Sequence, residues 1–319
     1  MRRRLTKIAA ALSALLVCAA FPAARAQTRG ETAVRGEVRR DVRAVTIPVT
    51  LRLAERAAQS EVRYLEDLQI FEDGERQEVL AMRGAGRSPL TLAVLIQDDL
   101  VSSMSNEIRG IAAFIRQLPP GSRVMVAYLS AGSLRVRQKF TIDLERAAKS
   151  LRIPLGSTAA SPYSPFGLTR DAVKRFESQP VGRRAVLLVS DGIDLSRGVS
   201  NSSPGASIDL QRTVNEAQRL GVAVHSIYAP TVGGGDASLV TNGQGSLNRL
   251  SEETGGRAFF NGTAAPVSLD RFLREIDSLL SRQFALTYLS THPDKGFHKV
   301  RVVAGTSEGE IIHPTGYTR

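Results

Sequence analysis

Three carboxylates mark where this chain could do chemistry. Asp98 and Asp99 follow the apolar run Leu92-Ala93-Val94-Leu95-Ile96 and Gln97, and Asp191 follows Ala185-Val186-Leu187-Leu188-Val189 and Ser190. Each run is short, free of Pro and Gly, and rich in branched side chains. That is the pattern of a strand buried on both faces of a parallel sheet. Parallel strands point their carboxyl ends at one edge, where α/β folds keep their ligand sites. Acids that end two such strands therefore gather at one rim.

Other reactive residues are few. Cys18 is the single cysteine and lies in an N-terminal stretch expected to be removed, leaving no disulfide, thiol nucleophile or Cys-based metal site. Gly305-Thr306-Ser307-Glu308-Gly309 spells a nucleophile elbow, but that motif needs a helix after it and an acid and a His downstream. A strand pattern follows instead, so the segment reads as a hairpin turn. His225 sits within a strand pattern as a core or edge residue. His292, His298 and His313 fall in the terminal β segment without His-x-x-x-His pairing, and read as surface residues rather than ligands. Gly233-Gly234-Gly235 lacks the spacing of a dinucleotide loop and reads as flexible loop.

The elements that must position the acids follow from periodicity. Val45 to Leu53 alternates as a strand, with Pro48 suggesting an edge. Leu68 to Val79 carries the hairpin signature Glu72-Asp73-Gly74 between two alternating arms, and Gly84 to Pro89 is a linker. From Leu90 the pattern becomes strand, helix, strand. Ile108, Ile111, Ala112, Ile115 and Leu118 share one helical face, and Val124 to Leu129 is a second buried strand. Leu134 to Phe140 reads as an antiparallel edge strand and Asp143 to Leu151 as a short helix. Ser164-Pro165 starts a helix running to about Ser178, and Gly221 ends another that begins at Ile208. Val222 to Tyr228 is a strand, Thr231 to Gly245 a Gly-rich loop, Leu247 to Thr254 a short helix, Ala258 to Phe260 a strand and Leu269 to Ser281 a helix. Strands at Phe284–Leu289, Lys299–Ala304 and Glu310–His313 finish the chain.

This alternation predicts an α/β fold: a doubly wound, mostly parallel sheet with helices on both faces. Both flanks leave that sheet at the pole opposite its ligand edge, so the end strands should pair as one small β domain. The expected division is residues 1–26 a signal peptide, 27–43 a flexible leader, 44–85 an N-terminal β segment, 86–283 the α/β domain and 284–319 a C-terminal β segment.

The signal reading rests on the basic stretch Met1 to Lys7, the apolar stretch Ile8 to Phe21, and the small-x-small site Ala24-Arg25-Ala26. A retained N-terminal anchor is the competing reading. No later stretch is apolar and long enough to span a membrane, so the expected location is secreted or periplasmic. The 319-residue chain carries a net charge of +11. Five of its basic residues, Arg2, Arg3, Arg4, Lys7 and Arg25, would leave with the signal. No dense basic patch with stacking aromatics remains, so nucleic acid is not an expected partner.

The strand–Asp–loop–helix stretch from Leu95 to Ile111, followed by Leu187-Leu188-Val189-Ser190-Asp191-Gly192, resembles the von Willebrand factor type A domain. Leu68 to Val79, Phe284-Ala285-Leu286-Thr287-Tyr288, Gly296 to Val302 and the terminal Gly316-Tyr317 are similar to the flanks of a secreted, "VWFA-related" group known best from Acidobacteria. The resemblance implies a binding or adhesion module with a metal-ion-dependent adhesion site for Mg²⁺. That site uses Asp-x-Ser-x-Ser after the first strand, a Thr from a later loop and an Asp after the fourth strand. Such hard-cation chemistry wants carboxylates, hydroxyls, water and one open position. Here the motif is degenerate. Asp98-x-Leu100-x-Ser102 and Asp99-x-Val101-x-Ser103 are both available registers, each with an apolar residue in place of the middle Ser, and Gln97 is a candidate to displace the first Asp. Thr158 or Ser164 stands for the Thr, and Asp191 maps cleanly.

The resulting expectation is an exported, non-enzymatic module. It would recognise a protein or cell-surface ligand through loops at Gln97–Ser103, Pro154–Ser164, Gly192–Ala206 and Thr231–Gly245. If metal binds, the candidate ligands are Asp98, Asp99, Ser102, Ser103, Ser164 and Asp191. The alternatives are a metal-dependent hydrolase and an inert structural component of an envelope assembly.

Overall fold

Burial in the first half of the chain follows the strand periodicities. In the computed structural model the described residues are 42–53, 67–85, 88–156, 163–231, 236–263, 268–304 and 309–319. The expected signal peptide, the leader up to residue 41, Thr158, Gly233–Gly235 and Gly305–Glu308 lie outside them. Strands β1 (Arg43–Leu53), β2 (Gln69–Glu72) and β3 (Glu75–Arg83) come first. Asp73 and Gly74 join β2 to β3 with φ of 49° and 91°, the left-handed pair of a type I′ hairpin. There follow β4 (Thr91–Gln97), α1 (Glu107–Gln117), β5 (Arg123–Ser130), β6 (Ser133–Thr141), α2 (Leu144–Lys149), α3 (Pro165–Val173) and β7 (Arg184–Ser190). Next come α4 (Ile208–Leu220), β8 (Ala223–Tyr228), α5 (Ala237–Thr254), β9 (Ala258–Phe259) and α6 (Asp270–Ser281). The chain ends with β10 (Gln283–Ser290), β11 (Phe297–Val303), β12 (Gly309–Ile312) and β13 (Gly316–Thr318).

One sheet has the order β6-β5-β4-β7-β8-β9, parallel throughout except for β6. Successive residues of β4 divide between two cores. Leu92, Val94 and Ile96 pack with Ile111, Ile115, Leu273 and Ile276 of α1 and α6. Ala93 and Leu95 pack with Phe166, Val214 and Leu247 of α3, α4 and α5. A strand with both faces covered reads as a near-continuous apolar run, and all seven residues of β4 are buried, with polar Thr91 and Gln97 only at its ends. The structure is thus α/β, with an antiparallel strand on one edge.

The end strands form an antiparallel sheet of order β12-β1-β10-β3-β2-β11-β13 with its own apolar core of Ile47, Val49, Ile70, Leu286 and Val300. It belongs to the same compact unit, Arg40–Arg319. Arg183 joins the two sheets. Only 2% exposed, it donates hydrogen bonds to the carbonyls of Ser88, Leu280 and Gln283, and burial pushes its guanidinium down to about 10.

Three expectations need correction. β1 is not an edge strand, because β10 and β12 flank it; β12 reaches only Thr50–Leu53, so Pro48 lies beyond its ladder. The Gly-rich stretch Ala237–Gly245 is helical rather than loop, forming the first half of α5 behind an Asp236 cap that accepts from the Ser238 amide at 2.7 Å. A fourth terminal strand, β13, pairs with β11. The Ser164-Pro165 start stands as expected, with Ser164 capping α3 and Pro165 in its first turn.

Candidate functional site

The four parallel strands β4, β5, β7 and β8 deliver their carboxyl ends to one rim, and backbone bonds tie the loops there. Leu100 pairs with Thr231, Val101 N donates to Pro230 O at 3.1 Å, and Gly156 N donates to Asp98 O at 3.0 Å.

Asp98 is closed off. Its side chain is 4% exposed and receives two hydrogen bonds of 2.7 Å from Arg152 Nη1 and Nη2, and one of 3.1 Å from Leu155 N. Arg152 is itself held: its guanidinium lies 4.2 Å from the centre of the Tyr128 ring, and its amide donates to Tyr128 Oη at 2.8 Å. Burial alone would raise the Asp98 carboxyl, but Arg152 and the Leu155 amide outweigh it and hold it below the usual range.

Asp99 and Asp191 behave differently. Asp191 is 5% exposed and accepts from Ile193 N at 3.0 Å and Thr231 Oγ1 at 2.8 Å. Burial, with Asp99 adding to it, pushes its carboxyl up to about 6. Asp99 accepts from Tyr163 Oη at 3.1 Å, and burial and then Asp98 raise it as well. Gln97 stands between them. Its Oε1 accepts from Ser190 Oγ at 2.5 Å and Asp191 N at 3.1 Å. That leaves the donor end of its amide for the carboxylates of Asp99 and Asp191.

The hydroxyl candidates are not assembled around this pair. Ser102 and Ser103 are exposed in a single 3₁₀ turn. Ser164 Oγ is spent on Gly167 N at 3.3 Å. Reading the sequence missed Arg152, Tyr163 and Thr231. Only Thr231 had a signal, because it lies in the loop that leaves the carboxyl end of β8.

The loop after β7 is pinned from behind. Gly192 has φ of 68°. A Cβ on Gly243 of α5 would lie 2.2 Å from Asp191 O, so a helix glycine lets Asp191 sit against the α5 backbone. Asp194 braces the same loop, accepting from Ser196 N at 3.1 Å and Ser207 Oγ at 2.5 Å.

A second constellation lies in the end-strand sheet. Glu72, Asp73 and His292 each offer a ligand atom within 4.8 Å of the others, a group that could hold a metal. His298, expected at the surface, is 6% exposed.

No protein-family model matches the chain, and no curated protein matches it. Solved structures similar to it include an aerotolerance-related membrane protein from Bacteroides fragilis (12% identity, TM-score 0.42, 60% of this chain and 98% of that one). Another is BatB from Bacteroides thetaiotaomicron (14%, 0.42, 61% and 98%). A third is a von Willebrand factor type A protein from Catenulispora acidiphila (13%, 0.42, 79% and 73%). The strand order, the antiparallel edge and the acids at the carboxyl rim define an α/β sheet with a carboxylate-bearing loop edge.

Among the described residues, the fit of this rim to Mg²⁺ is poor. The ion wants near-octahedral oxygen ligands. Here Asp98 is committed to Arg152, a Gln97 amide donor faces the remaining carboxylates, and neither Ser102, Ser103 nor Ser164 joins them.

Proposed function

We propose that this protein is an exported, non-enzymatic binding module that recognises a protein or cell-envelope ligand through its loop rim, without a bridging metal. The reading takes the larger sheet as doubly wound, the end strands as a small β domain, and the flanks as those of the secreted bacterial group they resemble. One observation carries it. The Asp98–Arg152 clamp fixes a loop that presents Ile153 and Leu155 to solvent, 57% and 67% exposed. Large apolar side chains held out rigidly beside polar groups are what a partner buries. The neutral donors Gln97, Tyr163 and Thr231 supply to Asp99 and Asp191 the hydrogen bonds that a cation would replace.

Co-sedimentation of the purified protein with an isolated cell-envelope fraction tests this reading. Binding should persist in excess chelator and fall at least tenfold in an Ile153→Asp/Leu155→Asp variant of unchanged circular dichroism. Loss in chelator alone would restore a metal bridge, and unaltered binding by the double variant would remove the rim from recognition. Turnover of ester or phosphate substrates that Asp191→Ala abolishes would replace the reading with a hydrolase.

A further inference from the structure

The hairpin end of the antiparallel sheet concentrates four metal-ligating side chains that the rim does not use. Glu72 ends β2, Asp73 occupies the turn, His292 follows β10 and His298 opens β11. Glu72 is 0% exposed, and its Oε2 has no hydrogen-bond partner. A buried carboxylate oxygen without a partner gives up its solvation with nothing in return. The other oxygen is held in place: Oε1 accepts from Ser290 Oγ at 2.8 Å and Tyr317 Oη at 3.1 Å. His292 Nδ1 lies 3.2 Å from Glu72 Oε1 and also lacks a hydrogen bond.

We propose that Glu72, Asp73 and His292 form a binding site for one divalent transition-metal cation, with zinc the ion their chemistry suits best. The ligand atoms lie within 4.8 Å of one another. A tetrahedral zinc with bonds of about 2.0–2.2 Å needs its ligands roughly 3.3 Å apart. The 3.2 Å between Glu72 Oε1 and His292 Nδ1 already meets that, and Asp73, on a solvent-facing turn, closes the rest. An imidazole beside two carboxylates favours zinc over Mg²⁺ or Ca²⁺, which take oxygen ligands.

The surrounding bonds are those of a supporting shell. Both ring nitrogens of His298 face acceptors, Nε2 toward Asp294 O at 3.0 Å and Nδ1 toward Asp73 Oδ2 at 2.8 Å. Lys299 N donates to Asp73 Oδ1 at 2.8 Å. His298 is therefore a positioning residue that orients Asp73, as outer-shell groups orient ligands in metal sites. Asp73 and His292 are partly open to solvent, with side chains 38% and 22% exposed, giving an entry path and room for water in the fourth position. A bound ion would lock the β2–β3 hairpin to the β10–β11 connection.

The test is calorimetric titration of Zn²⁺ into the chelator-treated full chain, with thermal melts in parallel. The expected result is one equivalent per chain and a melting point raised by several degrees, with no shift from Mg²⁺ at equal concentration. His292→Ala, partly exposed and so compatible with folding, should weaken Zn²⁺ binding at least about 100-fold. His298→Gln should weaken it roughly 10- to 100-fold, and Asp191→Asn at the rim should leave it unchanged. No heat and no shift with Zn²⁺ would overturn the proposal. So would full affinity in folded His292→Ala, or equal loss in Asp191→Asn.

Discussion

Arg152 grips Asp98 in a two-pronged hydrogen bond, Nη1 to Oδ1 and Nη2 to Oδ2, each 2.7 Å long. The two residues stand 54 positions apart, and their pairing decides which acids the rim can use. Asp98 is neutralised in place, while Asp99 and Asp191 are left to share neutral donors.

Removing the arginine should be costly. Arg152→Ala leaves a carboxylate that is 4% exposed without its counter-charge, and breaking such a pair from one side costs about 3 kcal/mol. Urea denaturation should show that loss for Arg152→Ala and a smaller one for the Asp98→Asn/Arg152→Ala double variant. Equal losses would mean that the pair holds no buried charge.

Asp191 is kept ionised against the preference of its surroundings. Its folded value of about 6 lies above the ordinary 3.8, so the folded chain holds a proton that the unfolded chain has lost between those values. The stability this contributes is complete below about 3.8 and disappears as pH rises through about 6. Asp191→Asn removes the penalty. Its carbonyl can still accept from Thr231 or Ile193, and its new amide can donate to Asp99. The variant should be more stable than the wild type at pH 7.5, by on the order of 1–3 kcal/mol, with the gain fading below pH 4. Denaturation at both pH values decides it.

Much of this was legible beforehand. The buried strands announce themselves because two-sided burial leaves their interiors, Leu92–Ile96 and Ala185–Val189, apolar, and the Ser164 and Gly221 caps read directly from residue type. What escaped was set by tertiary contact. Gly243 and Gly245 look like loop, yet Gly243 is helical because the β7 loop packs on it. Arg152 shows no sign in its own segment of the partner it holds. Glu72 reads as turn chemistry and His298 as a surface residue. Only the folding of β10 and β13 over the hairpin buries them.

Gly243→Ala tests that packing. Alanine is the better helix former by about 1 kcal/mol, but its Cβ would fall 2.2 Å from Asp191 O and 2.9 Å from Ile193 Cγ1. The backbone of one element must move. A net loss of about 2 kcal/mol in chemical denaturation is expected. The companion Gly84→Ala, where a Cβ meets nothing within 4 Å, should change stability little. A stabilised Gly243→Ala would show that the loop and α5 are not in contact.

His225 gives a pH dependence of opposite sign to that of Asp191. It is 1% exposed in β8 with neither ring nitrogen hydrogen-bonded, and burial pushes it down to about 4 from 6.5. Between those values the unfolded chain binds a proton that the folded chain refuses. Stability is therefore full above about 6.5 and falls as pH drops toward 4, at roughly 1 kcal/mol per pH unit. Asp191 slopes the other way between 3.8 and 6, so the wild-type profile near pH 5 should be flatter than either residue alone would make it. His225→Leu keeps an apolar side chain against Ile227 and its neighbours while removing the titration. Its stability should decline less than that of the wild type between pH 6.5 and 4.5, whereas Asp191→Asn should decline more steeply. Parallel slopes in all three proteins would show that neither buried group titrates as the fold dictates.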